Sequence, residues 1–288
     1  MKPKICIVTG ANRGIGKGIA KAIAKQGHQV VLVCRNAIMG DKVVKSLQQS
    51  FGETSAELVE GNLSSIKKVK AVGDKLLSKY EQINVLIHNA GVWPSKLNKT
   101  EKGIECAFMV NHLAPFYLTH QLLGRLMESA PSRIVLVNAG LYSRGTFNPE
   151  LTPWGGDFSK LKTYMNSKLC GMLYMRKFAP MLEGSGVIIN AVHPGVIRTG
   201  LGDFSGFVGI LLKITKLFQR SVKFGARGPT NLASNSEITT NGSFYDKLER
   251  KDIGLKALDD ELAEKLWNLS LELCGIREYG VYNENKLQ

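Results

Sequence analysis

Hydrophobic positions along the chain follow two periods. Six short runs are almost wholly apolar: KICIVTG from Lys4, QVVLVCR from Gln29, AELVEGN from Ala56, INVLIHNAG from Ile83, RIVLVNAG from Arg133 and VIINAVHPG from Val187. Between them, over residues 14–26, 37–51, 65–80, 101–128 and 158–183, apolar residues recur at helical spacing. Strand alternating with helix predicts a parallel, doubly wound α/β sheet, because parallel strands need crossover helices. Continuous apolar strands fit such a sheet, in which both faces are covered. DDELAEKLWNLSLELCG, from Asp259, predicts a last amphipathic helix capped by Gly275. Residues 195–228 are the one irregular stretch, so the expectation is a single domain carrying one long insertion.

Composition narrows the class. The chain has 288 residues, of which 44% are hydrophobic and 22% charged, which suits one large globular domain. No run of about 18 apolar residues occurs, and the N-terminus passes from charge straight into a strand, so the expectation is an intracellular, cytoplasmic protein. Five scattered cysteines (Cys6, Cys34, Cys106, Cys170, Cys274), an odd number with no CxxC pair, read as core residues in a reducing compartment, and no metal is expected. The formal charge of +14 would suit nucleic acid, an acidic membrane surface or a phosphorylated ligand. Lysines are spread along the chain with no nucleic-acid motif, so nucleic acid is not expected as a partner.

The loop after the first strand reads Gly10-Ala11-Asn12-Arg13-Gly14-Ile15-Gly16. Glycines there allow a tight turn and a close approach to a pyrophosphate, which would rest on the unpaired amides of the next helix. Strand, glycine loop and helix in this order predict dinucleotide binding. At the end of the second strand, where an acidic residue would accept from a ribose 2'-hydroxyl, stands Arg35. Arg35, with Arg13 closing from the other side, could pair with a 2'-phosphate, so the expected cofactor is NADP(H).

Tyr164 and Lys168 stand four apart, on one face of a helix. With TGANRGIG, HNAG at 88–91, Asn111 in VNHLAPF and HPGVIRT at 193–199, they resemble the short-chain dehydrogenase/reductase family, in order and spacing, from residue 4 to about 199. NHLAPFYLT, YMNSKLCGMLYM and LWNLSLELCG are most similar to the branch of retinol dehydrogenases and protochlorophyllide reductases. The resemblance implies a single Rossmann domain, with a cofactor-binding and catalytic core over 1–199, a helical substrate lid over 200–228 and a C-terminal segment over 229–288. It implies hydride exchange with a hydrophobic carbonyl or alcohol. Tyr164 would be the acid/base, its pKa lowered by Lys168, which would also hold the nicotinamide ribose. Asn111 would hold a helix kink and a water that serves Lys168.

Around the dinucleotide, the resemblance implies that Asn62 and Leu63 meet the adenine, that Asn89, Ala90 and Gly91 line the cleft, and that Pro194, Gly195, Ile197 and Thr199 meet the nicotinamide. In the stretch 200–228, Phe207, Ile210, Leu211 and Ile214 recur at helical spacing while Lys213, Lys216 and Arg220 fall largely opposite, and Gly206, Gly209, Gly225 and Gly228 would permit movement. Phe204, Phe207 and Leu211 would face the substrate, with Trp93, Tyr142 and Trp154 as pocket walls. The same basic amphipathic stretch would suit peripheral membrane contact, and a homodimer follows by analogy with similar proteins.

One position departs from the pattern. The fifth strand should end in a serine that hydrogen-bonds the substrate oxygen, and counting from Arg133 puts Ala139 there. Three explanations fit: a substitute donor from Ser143, Tyr142 or Asn138; a substrate activated by its own polar groups and served by Tyr164 alone; or chemistry redirected to a cyclisation, an isomerisation, an imine or an enone. A protein that binds NADPH without turnover is the rival from outside enzyme chemistry.

Overall fold

A computed structural model describes residues 3–195 and 221–279. All six anticipated strands form: β1 Ile5–Thr9, β2 Gln29–Cys34, β3 Ala56–Glu60, β4 Val85–His88, β5 Ser132–Val137 and β6 Val187–His193. They join β7 Ser243–Asp246 and β8 Glu249–Lys251 in one sheet of order β3-β2-β1-β4-β5-β6-β7-β8, parallel throughout except for the β7–β8 hairpin. Strand order reverses between β1 and β4, and that switch point opens a crevice at the carboxyl ends of the strands.

Alternation along each strand divides the core in two. Ile7, Ile134, Leu136, Ile189 and Ala191 face a layer made by α3 (Ile66–Lys79), α5 (Ala114–Glu128), α6 (Lys160–Phe178) and α8 (Asp260–Cys274). Cys6, Val8, Val135 and Val192 face the other layer, made by α1 (Gly14–Lys25), α2 (Ala37–Phe51) and α7 (Val222–Ser234).

The helix expected over 101–128 is broken. A first turn, α4 (Cys106–Phe108), is capped by the Glu105 carboxylate accepting from Phe108 N at 2.8 Å. The chain then widens into a π turn over Met109–Leu113 before α5. Pro115, which brings no N–H, follows at the join, where the wider turn lessens the loss of a regular helix bond. The helix expected over 158–183 ends at Phe178 and tightens into a 3-10 turn, Ala179–Leu182. Asp259 caps α8 and Gly275, at φ 68°, closes it.

Two features were not anticipated. FYD and ERK are too short and polar to read as strands, yet β7 and β8 extend the sheet past β6. Residues 222–228, assigned by resemblance to the insertion, lie in α7, which packs on α1. Gly225 and Gly228 are buried there, and a Cβ on Gly228 would lie 2.4 Å from the Lys247 carbonyl. Close packing of helix on hairpin, rather than freedom to move, is what Gly228 serves.

Candidate active site

The glycine loop closes over the start of α1. Gly10 has φ 67° and its N–H donates to Val33 O at 2.7 Å, tying the loop to the end of β2. A Cβ on Gly10 would sit 2.9 Å from Ala90 Cα, and one on Gly16 would sit 2.4 Å from Gly10 O, so neither position admits a side chain. Asn89 holds the loop from β4: its Nδ2 donates to Thr9 O at 2.8 Å and Gly10 O at 3.3 Å, while Thr9 Oγ1 accepts from Asn89 N and Ala90 N at 3.0 Å. Arg13, in extended conformation, precedes α1 without making a side-chain cap, and the first turn carries no acidic residue. Amides at that end are thus left for an anion, which is the fit a pyrophosphate requires. Ile15 packs against the α1–α2 core layer from a half-buried position.

Arg13 and Arg35 are both exposed at this mouth. Asn12, between them and α2, places its Nδ2 at 3.8 Å from Met39 Sδ. Asn36 caps α2 by accepting from Met39 N at 2.9 Å, which leaves Arg35 in the turn just after β2. Asn62 Oδ1 accepts from Ser64 N at 3.0 Å, an Asx turn that uses one lone pair of the amide oxygen. Leu63 packs against the α3–α5 layer.

On α6, Tyr164 and Lys168 face the crevice from a nearly closed environment, 7% and 9% exposed. Lys168 Nζ lies 5.7 Å from the Tyr164 ring centroid and donates to Val137 O at 2.9 Å. Gly91 lies beside the pair: a Cβ there would be 3.9 Å from Lys168 Nζ. Burial pushes the Tyr164 phenol up to about 12 and the Lys168 ammonium down to about 8. For Tyr164 the rise comes from loss of water, and the lowering expected from Lys168 together with a positive nicotinamide would act against it.

Asn111 stands inside the π turn and bridges two elements. It accepts from Val92 N at 2.7 Å, donates to Val92 O at 2.9 Å, and donates to Ser167 Oγ on α6 at 2.9 Å. A cavity of about 20 Å³ behind it is lined by His88, Asn111, Ser167, Lys168 and Tyr174 among others. That volume holds one water, and polar partners surround it.

The pocket walls separate on inspection. Trp93 stacks on Tyr164 with ring centroids 4.4 Å apart and planes 8° apart, and its Nε1 donates to Lys160 O at 2.6 Å. Trp154 packs against the core and Tyr142 is buried, its hydroxyl accepting from Gly254 N at 2.9 Å, so neither forms an open wall. Pro194 and Gly195 follow β6 at the crevice, and Gly195 adopts φ 89°. Ile197, Thr199, Phe204, Phe207 and Leu211 lie outside the described residues.

Ala139 lies two residues past the end of β5, 7% exposed. The next strand brings a residue that sequence reasoning passed over: His193, whose ring lies against Gly140, with Cδ2 at 3.6 Å from where a Cβ on that glycine would be. Its signal was visible, an ionisable side chain at the last position of a strand just before Pro194-Gly195.

Residues 4–205 match the family model for short chain dehydrogenases. Retinol dehydrogenase 12 of Bos taurus is 33% identical, over 95% of this chain and 87% of its own. Retinol dehydrogenase 13 of Homo sapiens is 35% identical, over 95% and 85%. Among solved structures, a putative uncharacterized protein from Mycobacterium Paratuberculosis superposes with a TM-score of 0.78 at 27% identity, covering 95% of this chain and 94% of that one. The chain belongs to the short-chain dehydrogenase/reductase family of oxidoreductases, in the branch that holds the retinol dehydrogenases.

Proposed function

We propose that the protein is an NADP(H)-dependent oxidoreductase that reduces a hydrophobic carbonyl, or oxidises the matching alcohol, with Tyr164 as the acid/base. The carrying observation is the Tyr164–Lys168 pair, held on one face of α6 with Lys168 Nζ 5.7 Å from the phenol ring and Gly91 at its side. This puts a buried proton donor next to the cleft that the glycine loop and α1 make for a dinucleotide. When bound, the nicotinamide supplies or takes up the hydride.

This chain's own residues do the rest. The α1 amides and the Gly10–Gly16 loop would hold the pyrophosphate, and exposed Arg13 and Arg35 would grip a 2'-phosphate, which favours NADP(H). A solved relative in fold, L-sorbose reductase from Gluconobacter frateurii, was crystallised with NADPH and L-sorbose. Tyr164, held protonated by burial, suits delivery of a proton from its Oη to the substrate oxygen. Lys168 favours the phenolate left behind, and the water-sized cavity at Asn111 gives Lys168 a route by which a proton can be replaced. Trp93, stacked on Tyr164, excludes water from the phenol and offers an apolar surface to the substrate. That surface, and the names of the relatives, support a long apolar aldehyde or alcohol as the substrate class.

The test is kinetic. With apolar aldehydes as substrates, Tyr164→Phe should abolish NADPH-dependent reduction, by about 10³-fold or more, while NADPH still binds. Undiminished turnover in that variant would overturn the assignment.

A further inference from the structure

We propose that His193 donates the second hydrogen bond to the substrate oxygen, serving from β6 the place that a serine at position 139 would serve from β5. The inference rests on the reading of Tyr164 as acid/base and adds a second catalytic residue to it.

The first argument is elimination. Among the described residues, the three candidate donors nearest Ala139 already make hydrogen bonds within the protein. Asn138 Nδ2 donates to Lys168 O at 3.1 Å while its Oδ1 accepts from Ala139 N at 2.8 Å. Ser143 Oγ donates to Gly140 O at 3.1 Å. Tyr142 is buried under the β7 edge, its ring against Phe244 and its hydroxyl on the Gly254 amide.

The second is position. Val137 pairs with Val192, and Asn138 N donates to Val192 O at 2.8 Å, so the register runs on to set His193 beside Asn138, one residue short of Ala139. It shares its strand face with Ile189 and Ala191, which pack in the layer that contains α6. Nε2 lies 3.9 Å from where a Gly140 Cβ would be, so the ring lies along the Ala139–Gly140 turn. Strands are about 4.8 Å apart, a gap that an imidazole spans and a short side chain does not.

The third is proton placement. Nδ1 is buried with no hydrogen-bond partner. With no acceptor within hydrogen-bond reach of Nδ1, the proposed neutral tautomer carries its proton on Nε2. The groups that face the ring keep it neutral. Burial lowers its pKa most, Asp246, its register partner on β7, raises it in part, and Lys247 and Lys168 lower it further, so that the net direction is down. Asp246 Oδ2 is engaged by Lys247 Nζ at 2.9 Å, which mutes its pull on the imidazole. The result is a preset neutral donor whose free N–H is on the ring nitrogen that the protein does not close off.

Rescue distinguishes this from a packing role. His193→Ala should lower kcat for an apolar aldehyde by about 10²-fold, the usual loss for one oxyanion donor, with NADPH affinity, read by quenching of tryptophan fluorescence, within threefold of wild type. Ala139→Ser should restore at least tenfold in the His193→Ala background and change the parent by less than threefold. His193→Gln, which keeps a donor at similar reach, should fall between. The inference is overturned if His193→Ala and His193→Gln both retain activity within threefold, or if Ala139→Ser has the same effect in both backgrounds. Should His193→Ala fail to fold, the Gln variant with and without Ala139→Ser carries the same comparison. If the parent enzyme is active and Tyr164→Phe is dead while His193 proves dispensable, only this inference fails. A parent with no carbonyl turnover overturns it together with the function it rests on.

Discussion

Arg35 sits where the chain turns from β2 to α2, exposed and clear of the Asn36 cap. On the proposed reading its guanidinium meets a 2'-phosphate, a charge-assisted contact worth about 1.5–3 kcal/mol. Arg35→Glu should therefore raise the KM for NADPH by roughly 10- to 100-fold while improving NADH relative to NADPH, and initial-rate kinetics with both dinucleotides would show it. Lys168 gives a second residue-scale expectation. Burial holds its ammonium down to about 8, so its charge is lost as pH rises through that value. A proton-delivering site that depends on the cation should then lose kcat/KM for reduction by about tenfold per pH unit above about 8, and be flat below 7. A profile flat to pH 10 would contradict the role given to Lys168.

At the scale of elements, the π turn is the piece on which the site geometry depends most. Asn111 reaches out of it to both backbone groups of Val92 and to Ser167, so one side chain joins the β4 loop, the broken helix and α6. Asn111→Ala strands these partners at about 1–3 kcal/mol for each group left buried and unpaired. Chemical denaturation should show a loss of about 2 kcal/mol or more, with kcat reduced beyond what the unfolded fraction explains. Helix and strand periods made the six central strands and their crossovers legible, because each is a buried run whose neighbours are set by chain order. VNHLAPF suggested a kink at Asn111, but its π form depends on Val92 and Ser167, contacts from distant parts of the chain. β7 and β8 were illegible for a related reason: SFYD and ERK form strands because β6 offers an unpaired edge, not because their own pattern demands it. Gly228 was misread as a hinge since a glycine's sequence neighbours do not reveal that helix α7 needs its missing Cβ to approach the β7–β8 hairpin. The tyrosine and lysine were read from the resemblance of their motif to the family and the glycine loop from its place between strand and helix, whereas His193 showed in the sequence only as an ionisable residue before Pro194-Gly195, and its closeness to Gly140 emerges when β6 is laid beside β5.

Across the whole molecule, the layer behind the site is unusually rich in buried ionisable groups, and these set its response to acid. His88 and His112 are fully buried, their pKa values pushed down to about 3, with Thr119 Oγ1 and Ser270 Oγ as hydrogen-bond partners at 2.8 Å. Both rings are neutral in the fold, yet would take up a proton near 6.5 once the chain unfolds. Between those two values the unfolded state binds more protons, so stability is fully present above about pH 6.5 and falls as pH drops toward 3. Each histidine contributes a slope of about 1.4 kcal/mol per pH unit. The two stand on different elements but feed one cooperative layer, since His112 reaches α8 through Ser270 and α8 in turn closes the aromatic cluster of Phe116, Tyr174, Phe178 and Trp267. Urea midpoints should hold steady from pH 8 to 7 and decline steeply below 6. His112→Asn, which can keep a bond to Ser270 without titrating, should be less stable at pH 7 yet show a shallower decline, the lowered His28, His88, His120 and His193 supplying the rest. An equal slope in wild type and variant would place the acid sensitivity elsewhere than in these buried rings.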